Sequence, residues 1–335
     1  MRWNEGYSAT YYMAIVDPVT WRDVGTIQIT GGQVHRETEG LRQSADVTCT
    51  DYAYGTEQYI RIYLDTRQEG GAAAHEALFT GLATSPDIAH DGARKEHSVQ
   101  CYSVLKAAED IALLRGWYAQ AGAVGTDIIR QLLSVVPAPV EIADNCPRLS
   151  STIIAEDGDT HLTMIDHILA AVGWRMKITG SGVIQILPQS EEAVARFDPN
   201  DYAMLETQIK VSADWFACPN VYLAIADDMT AIARDDRGDS VLSVLNRGRE
   251  VWMQDTNADL ADDESIEEYA ARKLTEAQAV RREISYDRRY DPAVHPSDAV
   301  RLSYPEQDID GIFRAESQTI SLEYSARTSE ELKEI

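Results

Sequence analysis

Residues 265–324 read SIEEYAARKLTEAQAVRREISYDRRYDPAVHPSDAVRLSYPEQDIDGIFRAESQTISLEY, and their signals pass in order from helix to strand. Ser265 stands three residues before Glu268, the spacing of a capping box, in which each side chain satisfies a backbone N–H at a helix start. Ile266, Tyr269, Ala270, Leu274 and Ala277 follow at helical spacing, which predicts a helix near 265–279. Ile284 and Tyr286 then alternate with Glu283, Ser285 and Asp287, the period of a half-buried strand. Residues 291–298 hold Pro292 and Pro296, which fix φ and donate no N–H, so a turn is expected there. Val300, Leu302 and Tyr304 alternate again. A second turn at 308–311 leads into a long strand, 312–324, whose apolar phase slips between Phe313 and Ile320; such a slip predicts a bulge. Arg281, Arg282, Arg288 and Arg289 flank the first of these strands. Two readings stand for them: a charged edge kept from aggregating, or a set that meets acidic loops of a neighbouring subunit.

Composition bounds the rest. A chain of 335 residues suggests two or three compact units, and 44% apolar residues suffice for buried cores. The net charge of −25 argues against gripping phosphates or anionic membrane surfaces, because both depend on clustered Lys and Arg. Residues 1–5 have no apolar run behind Arg2, so no secretory signal is expected, and no stretch approaches the ~18 apolar residues of a membrane span. Cys49, Cys101, Cys146 and Cys218 are scattered without a C-x-x-C pair and read as small buried hydrophobes of a reducing cytoplasm.

Upstream, β-prone runs at 8–16, 24–30, 44–50, 59–64, 77–84 and 96–102 predict six short strands, with Gly31-Gly32 closing the second and Gly70-Gly71 turning the chain. Ser103 would cap a helix carrying Leu105, Ala108, Ala112 and Leu113. Thr126 would cap another stopped by Pro137, and a third runs from Thr160 to Gly173, the expected C′ glycine. Runs at 174–178 and 183–187 flank Gly180-Ser181-Gly182 as a hairpin. Residues 189–201 read as a polar linker. Strands at 209–211 and 220–226 open a second β region, 227–238 reads as a hairpin loop, and 255–268 as a solvated acidic approach to the helix.

The order of these pieces resembles the bacteriophage baseplate-hub family: the tail-tip hub of contractile tails and the N-terminal hub domain of siphophage tail-associated lysins. The resemblance is carried by Arg61-Ile62-Tyr63-Leu64 followed by Phe79-Thr80-Gly81, by Ala171-Val172-Gly173-Trp174 with Gly182-Val183-Ile184, and by Asp291-Pro292 through Pro296-Ser297-Asp298, where Ser297 stands at a usual glycine. It implies an α+β chain of two small antiparallel tube-type β-barrels with an inserted helix-plus-hairpin α/β domain: residues 1–104, 105–200 and 201–335. It implies a homotrimer whose two barrels per subunit give a pseudo-sixfold ring, adapting a sixfold tail tube to a threefold tip. Partners would be a distal tail or tail tube protein, a tip, spike or fibre protein, and the tape measure protein. DNA would pass through the channel without specific binding or membrane insertion. The place would be the virion tail, assembled in the host cytoplasm. The alternatives are a tail-associated cell-wall hydrolase or a component such as a distal tail protein. Hydrolase domains follow the second barrel in longer relatives, and Ile335 stands only about ten residues past the last expected strand.

No catalytic, cofactor-binding or metal-binding residue is assigned. Glu156, Asp157 and Asp159 gather acids before a helix, but the helix dipole accounts for them, and the later Glu of an EF-hand is missing. His161 and His167 are six residues apart, about 120° around a helix, and cannot chelate one ion together. Arg237-Gly238-Asp239 is a cell-adhesion tripeptide that turn chemistry explains. Neither a Gly-x-Ser-x-Gly elbow nor a His-Glu-x-x-His helix occurs. With 55 acids the chain offers many carboxylate pairs of the kind used on sugars, and an acidic surface is the preferred reading of them.

Overall fold

A computed structural model describes every residue except 1, 4–5, 53–56, 93, 200–204, 227–228, 257, 259–263 and 325. The strands of the first third are β1 (Tyr7–Val16), β2 (Asp23–Glu37), β3 (Gln43–Cys49), β4 (Gln58–Gln68), β5 (Ala73–Ala83), β6 (Asp87–Asp91) and β7 (Arg94–Ser103). The predicted six are present, and β6 is added to them. Six of the seven pair in a closed cycle, β1–β4–β5–β7–β3–β2 and back to β1. Inside it Met13, Val34, Ile60, Ile62, Leu64, Leu78 and Phe79 are fully buried. Gly31 and Gly32 do not close β2. The strand runs through them with a register shift between Ile29 and Gly31, because Gly32, at φ 137°, lies where a Cβ would come 2.1 Å from the Asp46 carbonyl.

The middle third forms a core of its own around Leu105, Ile129, Met164, Ile165, Ile168 and Ile186. Its elements are α1 (Lys106–Glu109), β8 (Tyr118–Ala119), α2 (Gly125–Leu132), β9 (Val140–Ile142), β10 (Ile153–Ile154), α3 (His161–Val172), β11 (Trp174–Ile178) and β12 (Ile184–Pro188). The first predicted helix shrinks to one turn. Ser103 Oγ does accept the Leu105 N–H at 3.2 Å, but Ala112 bridges to Thr160 and Leu113 donates to the Asp159 carbonyl, so tertiary pairing overrides helix propensity. Thr126 lies inside α2, not at its cap. The third helix begins after Thr160 and ends at the expected left-handed Gly173, and Thr160 forms a capping box with Thr163 that the sequence reading did not anticipate. The hairpin β11–β12 forms as predicted. Residues 189–201 are not all linker: β13 (Ala193–Phe197) pairs parallel with a later strand.

Two compact units emerge, 1–210 with 285–335, and 211–284. After β14 (Leu205–Ser212), the smaller unit holds β15 (Val221–Ala226), β16 (Met229–Arg234), α4 (Val244–Arg247), β17 (Trp252–Asp255) and α5 (Ile266–Ala277). Its three strands form a separate sheet in the order β16–β15–β17, so the run at 220–226 does not join the main sheet. Half of the expected loop at 227–238 is strand β16, and its first two residues lie outside the described ones. The expected acidic approach begins with a bonded residue, not a solvated one. Asp255 accepts from Tyr269 Oη at 2.6 Å, while 257 and 259–263 lie outside the described residues. The Ser265–Glu268 capping box is present, and Ile266, Tyr269, Ala270 and Leu274 are the buried face of α5.

The chain returns through β18 (Glu283–Arg289), β19 (Ala299–Tyr304), β20 (Ile309–Ser321) and β21 (Arg327–Glu334). With these, the main sheet reaches 13 strands, continuing from β2 through β20, β21 and β18 to β14. The predicted slip in β20 is a register shift between Ala315 and Ser317 opposite β21. Ser297 adopts φ 70°, a left-handed conformation that glycine takes most readily. The strand β21 was not expected. Its sequence, RTSEELKE, has an alternation of inward Thr328, Glu330 and Leu332 that a hydrophobic pattern does not show.

Candidate functional site

The residues singled out in the sequence serve local structure. Asp159 Oδ2 accepts the Glu156 N–H at 2.7 Å and its Oδ1 accepts the Thr163 hydroxyl at 3.0 Å, so the acidic loop caps α3. His161 Nδ1 meets the Leu132 carbonyl at 3.0 Å and His167 is exposed. Among the described residues no group of three His, Cys, Asp or Glu side chains is placed to hold a metal, and no helix is long and apolar enough to cross a membrane. Arg237 is bound to Asp235, which also accepts from Ser240 Oγ at 2.6 Å and Gln278 Nε2 at 3.0 Å. The Arg237 hydrogen bonds hold the Asp235 carboxyl well below the usual carboxylate range. The tripeptide is therefore a turn with a committed arginine.

The four arginines near β18 fit neither expected reading as a set, because Arg288 is inside the protein. It is 1% exposed and grips Glu330 of β21 with Nε to Oε2 at 3.0 Å and Nη2 to Oε1 at 2.9 Å. Tyr286 Oη donates to Oε2 at 2.5 Å and Gln318 Nε2 to Oε1 at 2.6 Å. Burial alone would raise the Glu330 carboxyl, but the Arg288 charge and these donors outweigh it and hold the group below the ordinary range. Both carboxylate oxygens are occupied by two donors each, so the group has no free geometry for acid–base work.

Beside it lies the predicted turn. Asp298, 2% exposed, accepts from Arg175 Nη1 at 3.0 Å and Lys177 Nζ at 2.9 Å, both on β11. It also accepts the His295 backbone N–H at 3.0 Å. Burial pushes the His295 imidazole well below its ordinary value, with Arg36, Lys177, Arg288 and Arg175 adding repulsion, so the ring stays neutral. These contacts fasten the helical insert to the returning strands. Sequence reasoning missed Glu330 and Asp298 as anchors; the one available signal was a set of cations on strands with no exposed alternation of their own.

A second fastening joins the insert to the strand cycle. The Gly180–Gly182 tip of the β11–β12 hairpin presents its carbonyls to β4 and β5. Thr80 Oγ1 donates to the Gly180 carbonyl at 2.7 Å. Arg61 Nη2 and Trp21 Nε1 each donate to the Ser181 carbonyl at 3.1 Å. Arg61 is held in turn by Asp23 at 2.9 Å. A Cβ on Gly180 would come 1.6 Å from the Ala77 carbonyl, so only glycine fits.

The open spaces in the larger unit are shallow. One cleft of about 520 Å3 contains Arg42, Asp166, Arg175 and Arg314, already bonded to one another or to backbone. Another of about 450 Å3 is lined by Ile15, Val24, Tyr59 and Leu82 with Asp17, Glu57 and Asp110. Neither assembles a nucleophile with a base.

No family model matches the sequence, and no curated protein matches it. Solved structures do match, over nearly the whole chain. The tail protein from Neisseria meningitidis MC58 superposes with a TM-score of 0.67 at 16% identity, covering 98% of this chain and 97% of that one. The 43 kDa tail protein of prophage MuSo2 from Shewanella oneidensis gives 0.66 at 12% identity and 97% of both chains. In the half-lidded PdpA–VgrG complex from Francisella, 58% of the matched chain is covered by 98% of this one, with a TM-score of 0.57 at 10% identity. At these identities the likeness is one of fold: the chain has the fold of phage tail proteins.

Proposed function

We propose that this chain is the structural hub of a phage tail tip or baseplate. Three copies would close a ring in which the two strand regions of each subunit alternate, giving a pseudo-sixfold wall that meets a hexameric tube on one side and a threefold tip on the other. The single observation that carries the reading is the end-to-end match in fold to two tail proteins, with no part of either partner left over beyond a few per cent. The sheet topology supports it, because β2–β20 pairing joins the closed six-strand cycle to the returning strands as one continuous wall.

Within this reading the two regions are tube-type barrels at 1–104 and 201–335, and 105–200 is the insert. Partners are a distal tail or tube protein, a tip, spike or fibre protein, and the tape measure protein in the channel. The work is structural, carried out in the virion tail after assembly in the host cytoplasm. Purified chain is expected to leave cell walls intact in zymography. The charge of −25 supports a lumen that repels DNA in transit, since like charges raise the energy at close range; a basic lining in the assembled ring would sink that part.

The test is mass and shape. Light scattering should report three copies of the 37.2 kDa chain, about 112 kDa, and negative-stain images should show rings. A single 37.2 kDa species at every concentration, alone and with tube protein, would overturn the proposal.

A further inference from the structure

The smaller unit carries a projection that its own fold does not explain. Nine of the twenty exposed large apolar side chains among the described residues fall within 211–284, so apolar exposure is concentrated there. The sharpest case is the loop before β15, where Trp215 is 52% and Phe216 77% exposed. The loop is firmly held. Asp214 Oδ1 accepts the N–H groups of Phe216 and Ala217 at 2.9 and 3.0 Å. Arg247 Nη1 donates to the Cys218 carbonyl at 2.6 Å and its Nη2 to the Phe216 carbonyl at 2.7 Å. Arg249 donates to the same Phe216 carbonyl at 2.6 Å and lies 4.1 Å over the Phe216 ring. Leu245, on the helical turn that carries Arg247, is 68% exposed. An aromatic pair kept in water on a fixed backbone and rimmed by arginines has the make-up of an interface anchor whose ordering cost is already met.

Its complement is present on the same chain. The cleft of about 450 Å3 is lined by half-buried Ile15 and Leu82 and by exposed Val24, together with Asp17, Glu57 and Asp110. Asp17 stays ionised because Thr20 and Val19 hydrogen bonds lower its carboxyl. Asp110 is paired with Lys106 at 2.7 Å, which leaves the rim acidic through Asp17 and Glu57. The cleft is roomier than one buried aromatic side chain requires, and its charge is opposite to that of the arginine rim.

We propose that the Trp215–Phe216 tip of one copy seats in the Ile15–Val24–Leu82 cleft of the next copy, with Arg249 facing Glu57. A tip and a cleft on one chain form a heterologous contact, the kind that closes a ring when the rotation per copy allows it. The inference rests on the ring reading and names the surfaces by which the copies hold one another.

Mixing a Phe216→Cys chain with a differently tagged Val24→Cys chain under mild oxidation tests the contact directly. The expected product is the mixed covalent dimer in excess over either homodimer; its absence overturns the contact. Trp215→Ala with Phe216→Ala should weaken trimer formation by at least about thirtyfold, the size of a truncated aromatic hot spot. Arg249→Glu and Glu57→Arg should each weaken it, and the two together should restore it. Trimers of undiminished affinity in the double-alanine chain would sink the contact and leave the ring standing. A mixed dimer from chains that never pass beyond open ladders would keep the contact and sink the threefold closure.

Discussion

The two ends of the main sheet solve one problem in opposite ways. Around the six-strand cycle the core is led by apolar side chains: Ile60, Ile62, Leu64 and Phe79 are all fully buried on β4 and β5, although Arg36, Arg61 and Thr80 are buried there too. Around β18, β20 and β21 the interior contains Arg288 and Glu330, an ion pair with essentially no solvent contact on either side. The apolar end is held by burial, which is tolerant of small shifts and indifferent to pH. The ionic end is held by four directed bonds on one carboxylate, which fix the register of β21 against β18 and β20 but add little net stability over an apolar filling. One sheet therefore combines a part that resists disturbance with a part that specifies alignment.

The contrast can be broken first at its ionic end. Glu330→Ala leaves Arg288 charged and buried without its partner, and is expected to cost about 3–5 kcal/mol. Phe79→Ala at the apolar end is expected to cost a similar amount, about 3–5 kcal/mol, by cavity formation. Denaturant unfolding of the larger unit would register both, with loss of exchange protection in β21 for the first and in β4 and β5 for the second.

Acid separates the two ends. Two buried groups of the ionic end, His295 and Glu330, both have folded values below their unfolded ones, so the stability each contributes is present above the ordinary value and lost as pH falls toward the folded one. For His295 the loss begins near the ordinary 6.5, where the unfolded chain takes up a proton that the buried ring refuses. For Glu330 it begins near the ordinary 4.5. Phe79→Ala should keep both limbs of the stability-versus-pH curve. His295→Gln should lose the upper limb alone, measured by urea midpoints across the range; an unchanged upper limb in that variant would refute the assignment.

Smaller effects sharpen the picture. Replacing both ionic partners, Arg288→Met with Glu330→Leu, removes the charge problem but leaves Tyr286 Oη without its acceptor. The double variant is expected within about 2 kcal/mol of the parent, far above Glu330→Ala alone. Ser297→Gly should raise stability by up to about 1 kcal/mol, since the serine sits in left-handed backbone that glycine adopts freely.

The same contrast decides what could be read from the sequence. Strands facing apolar interiors announced themselves, and so did the two helices that begin after Thr160 and Ser265, the β11–β12 hairpin and the slip in β20. Strand β21 stayed hidden because its central inward residue is a glutamate, and Arg288 was placed outside for the matching reason. A pattern built on hydrophobicity cannot see a charge whose partner lies 42 residues away. β13 was passed over because it alternates weakly between polar stretches, and its pairing with β19 is non-local. Gly31-Gly32 looked like a stop because glycine more often ends strands than threads two of them past each other. Asp298 was visible as part of a turn, while its role as the seat of Arg175 and Lys177 depended on a contact across more than 120 residues.

The hairpin tip at Gly180–Gly182 is held through its backbone. What Thr80, Arg61 and Trp21 recognise there is main-chain oxygen, which every amino acid supplies alike. The latch is blind to the insert's side chains apart from the bare positions that let it close. Outside Arg175 and Lys177, which tie β11 to Asp298, and Asp166, which holds Arg42, the insert's surface can be exchanged for another while this latch stays shut, a route by which one scaffold is refitted to new neighbours.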